Sequence, residues 1–105
     1  MDEAEEKTEW TVVFSKKVLK QRDELPQPIL DKFYFLQREL TIRGPLLSDW
    51  PHFGKIVGSK DHYHCHLNRG HPTYVVVWQV VDNTLRVLGI KFVGTHEKVD
   101  YTKYK

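Results

Sequence analysis

The sequence predicts an α+β fold: an N-terminal strand, a two-helix hairpin, and a meander of three or four antiparallel strands packed on the helices. Three observations lead to this prediction. Apolar residues recur at helical spacing in the first half of the chain, β-branched and aromatic residues dominate the second half, and turn residues separate the segments. Because helices and strands are grouped rather than alternating, the arrangement is α+β and not a series of βαβ units.

The first half of the chain predicts one strand and two helices. Residues 10–14 are strand-like, and Ser15 is a typical N-cap for a helix over residues 16–25. A second helix follows and ends near Arg43, with Gly44 as its C-terminal cap. Its apolar face, which we expect to cover the sheet, consists of Ile29, Leu30, Phe33, Leu36 and Leu40.

The second half predicts three antiparallel strands over residues 62–67, 73–81 and 85–93, with a further short strand within residues 52–57. If Asp82 and Asn83 form a two-residue hairpin turn, side-chain alternation assigns a core face and an open face. The predicted core face carries Val75, Val77, Leu88, Ile90 and Phe92. The predicted open face carries Tyr74, Val76, Trp78, Val87 and Lys91.

Length, composition and charge limit the kind of protein. The 105 residues suffice for one domain with its own core, over residues 9–105, after an acidic leader over residues 1–8 that we expect to be disordered. A single cysteine argues against a disulfide framework, and no apolar run approaches the roughly 20 residues of a membrane span. We therefore expect a cytoplasmic protein with no membrane partner. Without residues 1–6, which hold four acidic side chains, the net charge rises from +2 to +6, which suits a polyanionic partner.

Three histidines alternate along the first strand of the meander. His62, His64 and His66 share one face at spacings of roughly 6.5 Å, because the apolar residues between them must face the core. Those apolar residues are Tyr63, Cys65 and Leu67. Imidazoles placed in this way can bind a divalent metal, act as general acid and base, or form an ordinary solvated surface. No carboxylate or second cysteine is predicted on this face, so we expect neither a metal nor another cofactor.

A further histidine and several cations are expected near this face. His96 ends the last strand, where the sheet can hold a catalytic side chain while the site stays open. Simple alternation points His96 towards the core with Phe92, so a functional position requires a bend or bulge at Gly94. Cationic side chains next to an aromatic side chain such as Trp78 suit the binding of single-stranded RNA, because cations hold phosphates and aromatic rings stack on bases. The candidate cations are Lys55, Lys60, Arg69 and Lys91, and a solvated surface is the alternative interpretation.

Three motifs, over residues 63–67, 74–78 and 94–98, resemble in order and spacing the RelE/ParE toxin superfamily. More specifically, they are similar to the RelE-type, YafQ-like mRNA interferases of bacterial type II toxin–antitoxin systems. The resemblance covers about residues 9–101. It implies a toxin that cleaves mRNA, on the ribosome in most members, without a metal or other cofactor. It also implies neutralisation by a cognate antitoxin protein.

The resemblance also implies roles for individual residues. His66 follows Cys65 as in the family's Cys-His pair, and His96 ends the Gly-Thr-His that carries a leading catalytic histidine. Tyr101 stands near a C-terminal aromatic that orients the substrate. His64 and His66 occupy positions where many RelE-type toxins have arginines, so charge stabilisation becomes weaker or pH-dependent. We expect His96 as general acid and His66 or His64 as base or phosphate contact. RNA contacts are expected from Lys55, Lys60, His62, Arg69, Trp78 and Lys91.

Two alternatives come from other functional classes. One is a binding protein without chemistry: a ParE-like inhibitor of DNA gyrase, or a relic that only binds an antitoxin. It would arrest replication without mRNA cleavage, or have no effect. The other is a small metal-binding domain that uses His62, His64 and His66, for which stoichiometric zinc in the purified protein would be strong support.

Overall fold

The computed structural model describes residues 9–105, so the predicted acidic leader lies outside the described residues. The order of elements confirms the predicted α+β fold, with one strand and two helices before the meander. A C-terminal 3₁₀ helix within the polar tail was not predicted. The elements are β1 (Thr11–Phe14), α1 (Lys16–Asp23), α2 (Gln27–Arg43), β2 (Gly54–Lys55), β3 (His62–His66), β4 (Tyr74–Asp82), β5 (Val87–Thr95) and the 3₁₀ helix (Tyr101–Tyr104).

The five strands form one mixed sheet in the order β1-β5-β4-β3-β2. Strands β2 to β5 are the predicted antiparallel meander, in which each strand pairs with the next one along the chain. Strand β1 pairs in parallel with β5 and closes the opposite edge of the sheet. Helices α1 and α2 contact β1 and β5, so they cover one face of the sheet and leave the other face to form a surface.

Local sequence signals set the ends of both helices. The Ser15 Oγ accepts a hydrogen bond from the Val18 backbone N–H at 3.2 Å, which confirms the predicted N-cap of α1. Helix α2 ends at Arg43 as predicted, and Gly44 takes a positive φ of 88°. A Cβ on Gly44 would lie 2.8 Å from the Trp10 Nε1, so both the backbone angle and the tight packing favour glycine there.

The core lies between the helices and the sheet. Phe33, Leu36 and Leu40 of α2 are fully buried, which confirms the apolar face predicted for this helix. On the sheet side, Cys65 and Leu67 are buried in the same cluster and Tyr63 packs against it, also as predicted. The remaining sheet residues of this cluster are Val76, Trp78, Leu88, Ile90 and Val93.

The predicted register of the β4–β5 hairpin is wrong. Asp82 pairs with Val87 instead of starting a two-residue turn, and residues 83–86 form the loop. The Asp82 carboxylate accepts a hydrogen bond from the Leu85 N–H at 2.8 Å, and Arg86 takes a positive φ of 57°. A first irregularity lies at Val81, between the pairs Val80–Leu88 and Asp82–Val87. With it, Trp78 pairs with Ile90 instead of Val87, and this odd shift in pairing exchanges the two faces of the strand.

The faces of β4 are therefore the reverse of those predicted. Val76 and Trp78 belong to the core, whereas Val75 and Val77 are buried on the face opposite the helices. A second irregularity makes Lys91 an extra residue of β5, since Trp78 pairs with Ile90 while Val77 pairs with Phe92. Phe92 thus leaves the core face on which Leu88 and Ile90 lie. The face opposite the helices carries His62, His64 and His66 and is called the histidine face below.

Among residues 9–105, no helix has the length and apolar character needed to cross a membrane.

Candidate functional site

The three histidines of β3 lie on the histidine face, as their alternation with core residues predicted. Cys65, between His64 and His66, is fully buried in the core. In the register with β4, His64 pairs with Val77 and His66 pairs with Val75. Both valines are fully buried, so each of these histidines has a buried apolar residue as its neighbour across the strand pair.

His66 is the centre of a histidine cluster, which consists of His52, His66 and His96. The ring centroids of His66 and His52 are 4.1 Å apart with 24° between the planes, a stacked arrangement. The ring centroids of His66 and His96 are 5.6 Å apart with 73° between the planes, an edge-on arrangement. The cluster therefore joins three imidazoles from distant parts of the sequence: His66 at the end of β3, His96 after β5 and His52 in the loop before β2.

The position of His96 depends on the extra residue in β5. Lys91 changes the alternation, so that Phe92, Gly94 and His96 share the histidine face. The bend that a functional His96 requires is therefore at Lys91, and the expectation of a bulge at Gly94 is wrong. Gly94 instead makes room for an aromatic ring, because a Cβ there would lie 2.9 Å from the Phe92 Cζ. The His96 N–H then donates to the Thr73 carbonyl at 2.7 Å, which fixes the backbone at this strand end.

His52 was not predicted to be part of the site. Its position follows from the β2–β3 register, in which Gly54 pairs with His64. Continuing this antiparallel register by two residues places His52 opposite His66. The His66 N–H donates to the Pro51 carbonyl at 2.8 Å. A short strand was predicted within residues 52–57, which include His52. A strand of two residues is too short for its register with β3 to be predicted from sequence.

Two tyrosines of the 3₁₀ helix lie against the other β3 histidines. The ring centroids are 5.0 Å apart for Tyr101 and His64, and 5.2 Å apart for Tyr104 and His62. Residues three apart on a 3₁₀ helix rise by roughly 6 Å, close to the spacing of alternate residues on a strand, so the two pairs are in register. The structure thus places Tyr101 beside His64, and Tyr104 beside His62 is an additional contact that the sequence did not indicate.

The predicted phosphate-binding cations are dispersed. Lys55 lines a small cavity with His64 and Tyr101, and Lys60 lines another with His62. Arg69 is exposed in the loop between β3 and β4, and Lys91 is exposed at the irregularity in β5. None of the four lines the cavity in which His66 and His96 lie.

The predicted role of Trp78 in stacking a base is wrong. Trp78 is fully buried on the helix-covered side of the sheet, where its ring centroid is 6.1 Å from that of Phe53. Its indole N–H donates to the Pro45 carbonyl at 3.1 Å. A side chain without accessible surface cannot stack a nucleobase, and Trp78 is a core residue.

The surroundings of β3 shift the pKa of its side chains. Burial lowers the pKa of His64 and of His66, and repulsion from His52 and His96 lowers both further. Burial also lowers the pKa of His62, an effect that Asp61 opposes and Lys91 reinforces. Burial raises the pKa of the Tyr101 and Tyr104 hydroxyls. The β3 imidazoles are therefore neutral at pH 7, and the tyrosines keep their protons.

The lowered histidine pKa values predict that the fold loses stability in mild acid. Histidines of the unfolded chain titrate near pH 6.5, whereas His62, His64 and His66 stay neutral to lower pH in the folded chain. Between these two pH values the unfolded state binds more protons, so the free energy of unfolding rises with pH. The stabilisation is complete above about pH 6.5 and is lost as the pH falls through the folded pKa values.

Urea unfolding at pH values between about 5 and about 7.5 measures this dependence, and NMR titration of the imidazole C–H signals assigns it to individual histidines. We expect the C–H signals of His64 and His66 to titrate below the range of free histidine. A free energy of unfolding that stays constant or increases on acidification from pH 7 to pH 5 would contradict the pKa directions given above.

A metal site has no ligand set in the described part of the chain. Across residues 9–105, no group of three histidine, cysteine, aspartate or glutamate side chains is arranged to hold a metal ion. Burial raises the pKa of Cys65 to about 12, so its thiol is neither a ready ligand nor a ready nucleophile. The alternative of a metal-binding domain therefore has no support in this geometry.

The structure of this chain is similar in fold to solved structures of other proteins. No protein-family model and no curated sequence matches the chain. The structure of a double mutant of the Escherichia coli toxin RelE in the free state matches with a TM-score of 0.69 and 18% identity, over 91% of this chain and 93% of that chain. RelE in the archaeal RelE–RelB complex from Pyrococcus horikoshii OT3 matches with a TM-score of 0.68 and 21% identity, over 86% of this chain and 98% of that chain.

A dimer of YoeB from Staphylococcus aureus also matches, with a TM-score of 0.64 and 17% identity over 84% of this chain and 98% of that chain. All three likenesses extend over most of both chains, so they concern the whole domain rather than a shared motif. Identities this low establish a common architecture and not a common activity. The chain has the fold of the RelE-like toxins, as its motifs predicted.

Proposed function

We propose that this protein is the toxin of a type II toxin–antitoxin system and that it is a metal-independent endoribonuclease. The observation that carries the proposal is the cluster of His52, His66 and His96 on the histidine face of a RelE-like sheet. A general base and a general acid must lie on opposite sides of a phosphate to cleave RNA without a metal. Two imidazoles with different exposure on one open face, His66 and His96, are the pair that we assign to these roles.

His66 is suited to be the general base. Its lowered pKa keeps it neutral at pH 7, and the stacked ring of His52 fixes its orientation. A neutral imidazole accepts the proton of an RNA 2′-hydroxyl, and the 2′ oxygen then forms a bond to the adjacent phosphorus. Stacking explains why His52 belongs to the site, because a rotated His66 ring would turn its basic nitrogen away from the substrate.

His96 is suited to be the general acid. It is exposed at the end of β5 and meets the His66 ring edge-on, so a phosphate bound at these two rings can contact both side chains. As the bond from phosphorus to the 5′ oxygen breaks, the His96 imidazolium gives a proton to that oxygen. The products are a 2′,3′-cyclic phosphate and a 5′-hydroxyl, and the two histidines finish with their protonation states exchanged.

His64 is a weaker candidate for the base. The Tyr101 ring lies against it, and the buried His64 Nδ1 has no hydrogen-bond partner within the described part of the chain. We therefore propose that His64 and Tyr101 together form one wall of the site. Lys55 and Lys60, beside His64 and His62, would bind phosphates of the RNA strand that leads away from the cleaved bond.

The partners follow from the same proposal. The P. horikoshii RelE is found in a complex with RelB, and we propose that an antitoxin likewise covers and neutralises this chain. The positive charge of the domain suits a polyanion, and we propose mRNA on the ribosome as the substrate in the cytoplasm. Imidazoles in place of arginines imply that cleavage depends on pH more strongly than it would with arginines, because imidazole charge changes near neutrality.

Incubation of the purified protein with end-labelled RNA, alone and on programmed ribosomes, tests the proposal. We expect cleavage that is unaffected by EDTA and that leaves 2′,3′-cyclic phosphate ends. A matched RNA with a 2′-deoxynucleotide at the cleaved position should resist, because it lacks the attacking hydroxyl. If neither RNA nor ribosome-bound mRNA is cleaved, or if cleavage requires a divalent metal, the proposal is wrong. Arrest of replication without mRNA cleavage would favour the gyrase-inhibitor alternative.

A further inference from the structure

A cavity of about 590 Å³ adjoins His66 and His96. Its other side is formed by His71, Pro72 and Thr73 of the loop between β3 and β4, and by Glu97. The volume is within the range of sites that bind small molecules. Only His66 and His96 among these residues have a role in the proposed cleavage, so most of the cavity is available for a part of the substrate beside the cleaved bond.

The walls of this cavity are held in place by hydrogen bonds. The Asn68 side chain donates to the Pro72 carbonyl at 3.2 Å and accepts from the Tyr74 N–H at 2.8 Å. The Thr73 hydroxyl donates to the Gly70 carbonyl at 2.7 Å. These bonds close the loop on itself, so the wall that it forms has a defined shape without a ligand.

The two walls are also joined to each other. The His96 N–H donates to the Thr73 carbonyl at 2.7 Å, and the Lys98 N–H donates to the Thr95 carbonyl at 3.0 Å. The second bond closes a turn over residues 95–98, and Glu97 lies within this turn beside the cavity. The carboxylate is thus attached to the same short segment as the proposed general acid.

Beyond His66 and His96, which would contact the cleaved phosphate, the side chains that line the cavity suit a nucleobase better than a second phosphate. Histidine rings and the flat ring of Pro72 offer surfaces on which a base can stack. No lysine or arginine of residues 9–105 lines the cavity, whereas the two cavities along His64 and His62 contain Lys55 and Lys60. A second phosphate, next to Glu97, would be repelled by its carboxylate, whereas cations are available to it elsewhere on the histidine face.

We infer that this cavity binds the nucleobase next to the cleaved phosphate and that Glu97 selects this base, with guanine preferred and uracil disfavoured. The inference rests on the proposed function. A carboxylate accepts hydrogen bonds and donates none. Guanine presents two adjacent donors, its ring N–H and its amino group, which match the two carboxylate oxygens. The edges of adenine and cytosine place an acceptor beside their amino group, and uracil has one donor between two carbonyls.

NMR titration with guanosine 3′-monophosphate and uridine 3′-monophosphate tests the inference without requiring cleavage. We expect the guanosine nucleotide to bind about tenfold more tightly and to shift the amide signals of Thr73, His96 and Glu97. In Glu97→Gln the ratio of the two affinities should fall to near one, because the amide keeps the size but replaces one acceptor with a donor. Glu9→Gln is the matched control, since β1 runs parallel to β5 and places Glu9 at the end of β5 remote from His96. This control should keep the ratio of the wild type.

Equal affinities in the wild type, an unchanged ratio in Glu97→Gln, or shifts confined to amides outside the cavity would each overturn the inference. Sequencing of the RNA products separates this inference from the proposed function. Wild-type cleavage beside guanine that becomes indifferent to the base in Glu97→Gln supports both. If the wild type and Glu97→Gln both cleave RNA with the same base pattern, selection by Glu97 is overturned and the proposed function is not. If the wild type cleaves no RNA, the proposed function fails, and the nucleotide affinities still decide whether Glu97 discriminates between bases.

Discussion

His96→Ala is expected to lower the rate of RNA cleavage by about 10²–10⁴-fold, because it removes the proposed general acid. His96 is exposed and contributes little to the packing, so the free energy of unfolding should change by no more than about 0.5 kcal/mol. Single-turnover cleavage of an RNA oligonucleotide measures the first effect, and urea unfolding measures the second. A loss of activity with unchanged stability assigns the effect to chemistry rather than to folding.

His66→Ala is expected to lower the rate of cleavage by a similar factor, through loss of the base. Because base and acid act in one transition state, the double variant should lose much less than the product of the two single effects. In cells without antitoxin, the wild type should arrest growth, and neither single variant should do so. If both variants arrest growth and cleave mRNA like the wild type, the assignment of His66 and His96 is wrong.

The features that could be predicted from sequence are those that depend on neighbouring residues. Ser15 and Gly44 mark helix ends because capping involves backbone groups within a few residues. The shared face of His62, His64 and His66 follows from the alternation of a single strand, in which Cys65 has to be buried. These local rules are sufficient to give the order of elements, the fold class and the side of the sheet on which the β3 histidines lie.

The features that could not be predicted depend on how separate strands pair. The faces of β4 were assigned through an assumed two-residue turn. The longer loop at residues 83–86 and the register shift between Val80 and Asp82 together move the pairing by an odd number of residues, which exchanges Trp78 with Val77. The extra residue at Lys91 carries His96 to the histidine face, although the sequence suggested Gly94 as the irregular position. His52 joins the cluster only through the register of β2, which is too short to be read from a periodic pattern.

Trp78→Ala is expected to lower the free energy of unfolding by about 3–5 kcal/mol, because the indole is fully buried and its removal leaves a cavity in the core. The truncation also leaves the Pro45 carbonyl without the hydrogen bond from the indole N–H. Equilibrium unfolding in urea measures the effect. A base-stacking role for Trp78, as expected from the sequence alone, predicts the opposite pattern: nearly unchanged stability with weaker binding of RNA.

Two further variants define the source of this destabilisation. Trp78→Phe keeps an aromatic ring next to Phe53 but cannot donate to Pro45, so it should cost less than Trp78→Ala while remaining clearly destabilising. Leu85→Ala removes a large apolar side chain that is 63% exposed in the β4–β5 loop, and it should change the free energy of unfolding by no more than about 0.5 kcal/mol. If Trp78→Ala were as mild as Leu85→Ala, the assigned pairing of Trp78 with Ile90, and the face of β4 that follows from it, would be incorrect. That result would also return Trp78 to the histidine face, where it could again contact RNA.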